Sequence, residues 1–401
     1  MEVTRQAVIL VGGRGTRLGE LTNDIPKPLL AVAGRPFLEY VIDSLIRQGF
    51  DDILLLAGYR ADVVVQFASD IAEDRSGISV RAVVEDRPLG TGGALRHAKA
   101  WLADQFVLMN GDTLFDINLN DLLMPPLGTM LVRMALRRVP DTARFGRVVL
   151  TDSAVKAMEE KGISGNGLIN GGIYFLSKAC VENLPPGASS VECDLFPGLI
   201  SEGLMEAREY AGFFLDIGIP SDFLAAQTLV PSSRQRPAVF FDRDGVLNED
   251  ENYVFMPEQF RWIEGAKDAV KFCNEAGYYV FVVTNQAGVA RGYYDVNRVN
   301  SLHAWMQQEL RAAGAHVDQY YFCPHHPDFT GPCDCRKPEP GMIIRANKEW
   351  PLVKERSFLI GDNVWDVEAA VRAEIVGYLF HGTNLLDFLG SIHLLGNGQQ
   401  S

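Results

Sequence analysis

Residues Ala7–Leu18 read A-V-I-L-V-G-G-R-G-T-R-L, and Pro26-Lys27-Pro28 follows after a short polar stretch. Five apolar residues running into a glycine cluster mark a buried strand that ends in a loop able to approach a ligand closely. Glycines after a strand let main-chain N–H groups reach phosphate oxygens, and Arg17 and Lys27 add positive charge. The cluster is not a Walker loop, because G-K-[ST] is missing. It also fails G-x-G-x-x-G, since Leu18 stands where the last glycine belongs. Taken alone it reads equally well as a glycine-rich turn with two solvated cations.

Outward from this strand, short apolar runs alternate with amphipathic stretches along the whole chain, the pattern of sheets flanked by helices. The runs predict strands at Ala7–Val11, Ile53–Leu56, Val80–Val84, Phe106–Met109, Thr129–Ala135 and Gly172–Phe175. A second series is predicted at Ala238–Phe241, Tyr279–Val283, Gln319–Phe322, Ser357–Ile360 and Val376–Phe380. Phe37–Gln48 puts Leu38, Val41, Ile42 and Leu45 on one helical face. The fold class expected is α/β, with two Rossmann-like three-layer domains built on mainly parallel sheets. The polar stretch V-P-S-S-R-Q-R-P at 230–237 predicts a linker between a domain at 1–229 and another at 238–395, with 396–401 as a tail. No internal repeat is present.

The 401 residues suit two or three domains, and 47% apolar content lets each bury a core. A net charge of −14 argues against nucleic-acid or anionic-membrane partners, which attract clustered Lys and Arg. Met1–Gly15 has no signal-peptide pattern, and no apolar run approaches the roughly 18 residues of a membrane span. Three of the six cysteines (Cys323, Cys333 and Cys335) fall in one window, which suggests a metal site in a reducing, cytoplasmic setting, not a disulfide framework.

The glycine loop with P-K-P is followed in order by Pro88-Leu89-Gly90-Thr91-Gly92-Gly93-Ala94, Asn110-Gly111-Asp112, Glu160-Lys161, Asn170-Gly171-Gly172-Ile173-Tyr174 and Asp216-Ile217-Gly218-Ile219-Pro220. This series resembles the sugar-nucleotide pyrophosphorylases over residues 4–228. The resemblance implies Mg²⁺ held by Asp112 and Asp216, Arg17 on the leaving pyrophosphate and Lys27 on the transferred α-phosphate. It implies Lys161 on the sugar phosphate, and Glu160 and Asn170 on sugar hydroxyls. Gly12, Gly13, Gly15, Thr16, Pro88, Gly90, Thr91, Asn110 and Gly171 would complete the nucleotide and sugar contacts. The chemistry needs no general base, because a sugar 1-phosphate, with a second pKa of about 6, is already an ionised nucleophile. What it needs is in-line positioning and charge neutralisation.

In the second series, Val239-Phe240-Phe241 runs into Asp242-Arg243-Asp244-Gly245, Val283 into Thr284-Asn285-Gln286, and Ile360 into Gly361-Asp362, with Arg336-Lys337-Pro338 between the last two. A strand ending in D-x-D projects carboxylates from its C-terminal edge, where open α/β sheets bind ligands. The four elements resemble those of the haloacid dehalogenase superfamily. That implies Asp242 as nucleophile, Asp244 as acid and then base, and Thr284 and Lys337 on phosphoryl oxygens. It further implies Mg²⁺ on Asp242, Asp362 and the carbonyl of Asp244. Cys323, His325, Cys333 and Cys335 form a Cys₃His set suited to tetrahedral, structural Zn²⁺. The set is expected to aim Arg336 and Lys337, with Asn285, Gln286 and Arg291 contacting substrate.

D-R-D-G, T-N-Q-A-G-V-A-R-G and C-P-H-H-P…C-D-C-R-K-P-x-P-G-M resemble the heptose 1,7-bisphosphate 7-phosphatases, with histidinol phosphatases as near neighbours. The chain departs from that pattern in a short stretch between the zinc cysteines and in Asn363 after Asp362. Such a phosphatase releases a heptose 1-phosphate, the acceptor that a guanylyltransferase of the first family uses with GTP. Two alternatives stay open: a hexose-1-phosphate nucleotidyltransferase fused to another phosphomonoesterase, and a sensor that binds nucleotide sugars without turnover. Base identity and oligomeric state are not legible in the sequence.

Overall fold

The computed structural model describes residues 5–125 and 127–396. The chain divides into two compact units between Ser233 and Arg234. Helix Pro220–Ser233 runs through the first half of the expected linker, with Pro231 inside it. Proline costs a helix one hydrogen bond and a steric clash. Ala226 and Val230 are fully buried, however, and that packing outweighs the local breaker. The rest of the stretch is also bound, since Arg236 bridges to Leu352. Helix Leu385–Gly396 takes in the first residue of the expected tail, and 397–401 lie outside the described residues.

The first unit is a nine-stranded sheet in the order Ser79–Val84, Asp52–Ala57, Gln6–Leu10, Gln105–Asn110, Gly167–Ser177, Val132–Val139, Met205–Tyr210, Ala154–Met158 and Val148–Thr151. The first four strands are mutually parallel. Gly167–Ser177 then runs antiparallel to both of its neighbours, so the far half is mixed. Alternate residues of Gln6–Leu10 feed different cores: Ala7 and Ile9 pack on one face with helix Phe37–Arg47, and Val8 packs on the other with Leu95 and Phe106. This is the three-layer arrangement that near-continuous apolar strands require. The strand predicted at Thr129–Ala135 begins three residues later, at Val132, and the edge strands beyond it, V-V-L-T and A-V-K-A-M, are short and partly exposed.

The second unit is a wholly parallel five-stranded sheet in the order Gln319–Cys323, Tyr279–Asn285, Ala238–Phe241, Phe358–Gly361 and Val376–Leu379. Phe240 packs into one core and Phe241 into the other. Strand order reverses at the central strand Ala238–Phe241, so its C-terminal end opens on the crevice where such sheets bind ligands.

Candidate active sites

In the first unit the C-terminal ends of the parallel strands open into a cleft of about 760 Å³, lined by Gly12, Gly13, Arg14, Lys27, Glu85, Pro88, Gly90, Thr91, Asn110, Asp112, Tyr174 and Glu192, among others. The strand Thr113–Phe115 pairs antiparallel with Phe214–Asp216, setting Asp216 opposite Thr113. The Ile217 amide donates to the Asp112 carbonyl at 3.0 Å, which brings the two aspartates side by side. Lys27 is ion-paired with Asp112. Burial raises the Asp216 carboxyl, Asp112 adds to the rise, and Lys27 opposes it. Asp112 in the cleft wall and Asp216 next to it, the latter destabilised as an anion, make a donor set that fits a hard divalent cation.

Not every residue singled out from the sequence faces this cleft. Thr16 and Arg17 are exposed on the short helix Thr16–Thr22, and Gly15 caps it. Glu160 and Lys161 are exposed on the turn after strand Ala154–Met158. None of these five lines the cleft, nor does Gly171. Asn170 stands one layer back, donating to Tyr174 Oη at 2.7 Å and to Glu192 Oε1 at 3.0 Å, and both of those residues do line it.

The residue that sequence reasoning missed is Glu85. Its Oε2 accepts the Leu89 amide at 3.0 Å, and burial raises its carboxyl. A Cβ at Gly58 would lie 2.1 Å from Oε1, so only glycine admits the carboxylate there. No spacing rule points to it. It becomes visible when two chain segments meet at a glycine.

In the second unit Asp242, Asp362 and Asp366 place carboxylate oxygens within 4.8 Å of one another at the end of the central strands. Gly245 has φ +84°, and a Cβ on it would fall 2.2 Å from Asp362 Oδ2, so the D-x-D loop closes on Asp362 only with glycine there. Lys337 Nζ reaches Asp242 Oδ1 at 2.8 Å, Asp366 Oδ1 at 2.7 Å and the Val283 carbonyl at 2.9 Å. Burial works to lower the Lys337 pKa, but Asp242 and Asp366 outweigh it and the ammonium is held above its usual range. Burial pushes Asp242 up to about 8 even against Lys337, with Asp366 adding to the rise. An ionised Asp242 therefore calls for more positive charge than Lys337 supplies, and the three carboxylates fit a divalent cation.

Around them Gln286 Nε2 donates to Thr284 Oγ1 at 2.8 Å and to Asp244 Oδ2 at 3.1 Å. Asn285 clamps Lys337 by two hydrogen bonds, donating to its carbonyl at 3.1 Å and accepting its amide at 3.0 Å. Arg291 sits over the Phe329 ring at 4.8 Å. Asp366 was not expected. It lies in the first turn of helix Val364–Arg372, where its Oδ2 accepts the Asn363 amide at 3.0 Å. The D-x-x-x-D spacing after Gly361 is its only signal in the sequence, and an aspartate there reads as a helix cap.

Cys323, His325, Cys333 and Cys335 converge, with Sγ–Sγ distances of 3.0–3.6 Å and His325 Nδ1 at 3.3 and 3.7 Å from Cys335 and Cys323. A tetrahedral ion with thiolate bonds near 2.3 Å and an imidazole bond near 2.0 Å spaces its ligands by about 3.5–3.8 Å. Three of these edges match that, at 3.6, 3.6 and 3.7 Å, while Cys335 lies nearer Cys323 and His325, at 3.0 and 3.3 Å, and no disulfide forms among these thiols. Arg336 Nη1 donates to the His325 carbonyl at 3.2 Å, tying the loop to the residue before Lys337.

Residues 6–233 match the family described as nucleotidyl transferase, and residues 334–382 match the HAD-hydrolase-like family. The chain is 46% identical over 169 residues to a D-glycero-beta-D-manno-heptose-1,7-bisphosphate 7-phosphatase of Rhodopseudomonas palustris, covering 41% of this chain and 94% of that protein. It is 34% identical over 223 residues to a D-glycero-alpha-D-manno-heptose 1-phosphate guanylyltransferase of Campylobacter jejuni, covering 54% of this chain and 96% of that one. The crystal structure of HddC from Yersinia pseudotuberculosis complexed with GMP-PN superposes with a TM-score of 0.51 at 34% identity, over 56% of this chain and 99% of the other. The chain thus belongs to the nucleotidyl transferase family through residues 6–233 and joins to it a phosphatase of the HAD-hydrolase-like family, two enzymes in one polypeptide.

Proposed function

We propose that the second unit removes the 7-phosphate of D-glycero-D-manno-heptose 1,7-bisphosphate and that the first unit transfers GMP from GTP to the resulting heptose 1-phosphate, releasing pyrophosphate. The observation that carries this reading is the presence of both sites in one chain, each resembling a relative whose product or substrate is a heptose 1-phosphate. In the second unit Asp242 attacks the 7-phosphate, Lys337 and Thr284 bear the charge on its oxygens, and Asp244 handles the proton. In the first unit Lys27 neutralises the phosphates and the backbone at Gly12, Gly13 and Gly90 holds the nucleotide. Asp112 with Asp216, and Asp242 with Asp362 and Asp366, would each hold Mg²⁺, which supplies charge neutralisation on the phosphates. Cys323, His325, Cys333 and Cys335 would hold structural Zn²⁺. We assign the chain to the cytoplasm, where nucleoside triphosphates are held and thiols stay reduced. No helix among the described residues is long and apolar enough to cross a membrane.

The two relatives differ in anomer, beta for the phosphatase and alpha for the transferase. Consecutive steps on one molecule require the same anomer in both, and we propose alpha, the anomer of the guanylyltransferase relatives, for the phosphatase unit as well. ³¹P NMR of the purified chain with Mg²⁺, GTP and each anomer tests this. The expected record is loss of the C7 phosphate resonance and then a new diphosphate pair, from the alpha anomer alone. Phosphate loss without a nucleotide sugar from either anomer would sink the coupled reading.

Glu85 supports the choice of guanine. A carboxylate accepts from the paired N1–H and N2–H donors of guanine, an edge that uracil, thymine and adenine do not present. Glu85→Gln should lower kcat/KM for GTP about 10- to 100-fold, the worth of one bidentate base contact. Its rate with UTP should not fall. Equal losses with both nucleotides would remove Glu85 from base reading.

Cys335→Ser should leave the chain with little bound zinc by elemental analysis and lower phosphatase kcat about 10- to 100-fold, because Arg336 and Lys337 follow the ligand directly. Full zinc content in that variant would show that the four residues are not the ligand set.

A further inference from the structure

Arg243, the middle residue of D-R-D, is the largest fully buried side chain among the described residues, at 1% exposure. Burying a guanidinium costs several kcal/mol unless it is well paired, and Arg243 is paired in an unusual way. Its Nε and Nη2 both donate to the carboxylate of its own neighbour Asp244, at 3.2 Å to Oδ1 and 2.9 Å to each oxygen. Nη2 also donates to the Val254 carbonyl at 2.7 Å, while the buried Nη1 has no partner among the described residues. On helix Val296–Ala312, His303 is buried, and burial first and Arg243 second hold its imidazole well below the usual range. His303 thus brings no second positive charge beside Arg243.

Asp244 Oδ1 also takes Asn248 Nδ2 at 3.0 Å, and Oδ2 takes Gln286 Nε2 at 3.1 Å. Gln286 is itself fixed by the Tyr294 hydroxyl, which donates to its Oε1 at 2.8 Å. The carboxylate is therefore gripped from three sides, and the guanidinium fork fixes its plane.

We propose that Arg243 is a positioning residue for phosphoryl transfer: it aims the Asp244 carboxyl at the oxygen that leaves phosphorus. This assignment rests on the roles proposed above for Asp242 and Asp244. In the step concerned, a bond forms between phosphorus and an Asp242 oxygen and the bond from phosphorus to the C7 oxygen breaks. The proton passes from Asp244 to that departing oxygen. A mispointed Asp244 hurts most when the leaving group is a poor one, because an alkoxide cannot depart unprotonated whereas a nitrophenolate can.

The test is first-turnover release of the leaving group by quench-flow, using the full-length chain with Mg²⁺. Heptose 1,7-bisphosphate and p-nitrophenyl phosphate are compared for wild type, Arg243→Lys and Asp244→Asn. Lysine keeps the buried positive charge and loses the fork. Arg243→Lys should slow heptose release about 100-fold, with KM within about threefold, and slow nitrophenolate release less than about threefold. Equal slowing with both substrates would make Arg243 a structural residue only, and no slowing with either would overturn its role altogether. If Arg243→Lys fails to fold, as judged by near-ultraviolet circular dichroism, Asn248→Ala removes a single donor from Oδ1 and should give the same split at smaller amplitude. No split in that variant overturns the assignment. An Asp244→Asn variant without leaving-group dependence would instead sink the role of Asp244 itself.

Discussion

Asp242→Asn should abolish the phosphatase reaction, lowering kcat about 10⁴-fold or more, while nucleotidyl transfer in the same preparation continues at the wild-type rate. The size of the effect follows from what the residue does. Asp242 stands where the central strand Ala238–Phe241 ends, contacts Lys337 and joins Asp362 and Asp366 in a common cluster. An amide cannot form the acyl phosphate, and no neighbour can replace it, because Asp366 is already committed to Lys337 and to its helix cap. The substitution is nearly isosteric and removes a charge that burial already penalises, so the fold should not suffer. Inorganic phosphate release and pyrophosphate release are measured on one sample. Phosphatase activity within tenfold of wild type would mean that another residue is the nucleophile.

Asp112→Asn should lower nucleotidyl transfer about 10³-fold, with the phosphatase unaffected. Lys27 loses its ion-pair partner, and Asp216 is left as the single carboxylate of the pair. Two phosphate chains must approach each other in this cleft, and each lost unit of organised charge raises the barrier where repulsion is greatest. The loss should show in the metal dependence as well, with a higher Mg²⁺ concentration needed for half-maximal rate. A variant with lower activity and an unchanged Mg²⁺ requirement would assign Asp112 a role other than metal binding.

Much of this architecture is legible residue by residue. Strands such as Ala238–Phe241 coincide with their apolar runs because a strand covered on both faces has no polar alternation to blur its ends. The edge pair Val148–Thr151 and Ala154–Met158 escapes such a reading because both strands are short and only partly buried, so each offers too brief an apolar run to stand out. The proline at 231 misled the linker boundary, because burial of Val230 is invisible to a local rule. Among site residues, Arg17, Glu160 and Lys161 carry motif positions yet stand exposed and outside the cleft. Glu85 and Asp366 carry no motif that was read, and yet they face the two sites.

The sequence by itself determined that there are two α/β units, which strand ends carry chemistry, and which four residues could ligate zinc. These follow from order along the chain: a glycine loop, a D-x-D or a C-x-H must sit where its own strand ends. Only the tertiary structure decided which side chains from separate segments meet. It brought Asp112 beside Asp216 and held Lys337 between Asp242 and Asp366. The physical reason is that ion pairs, desolvation and close glycine approaches depend on distances between segments tens of residues apart, and no spacing along one chain encodes those distances.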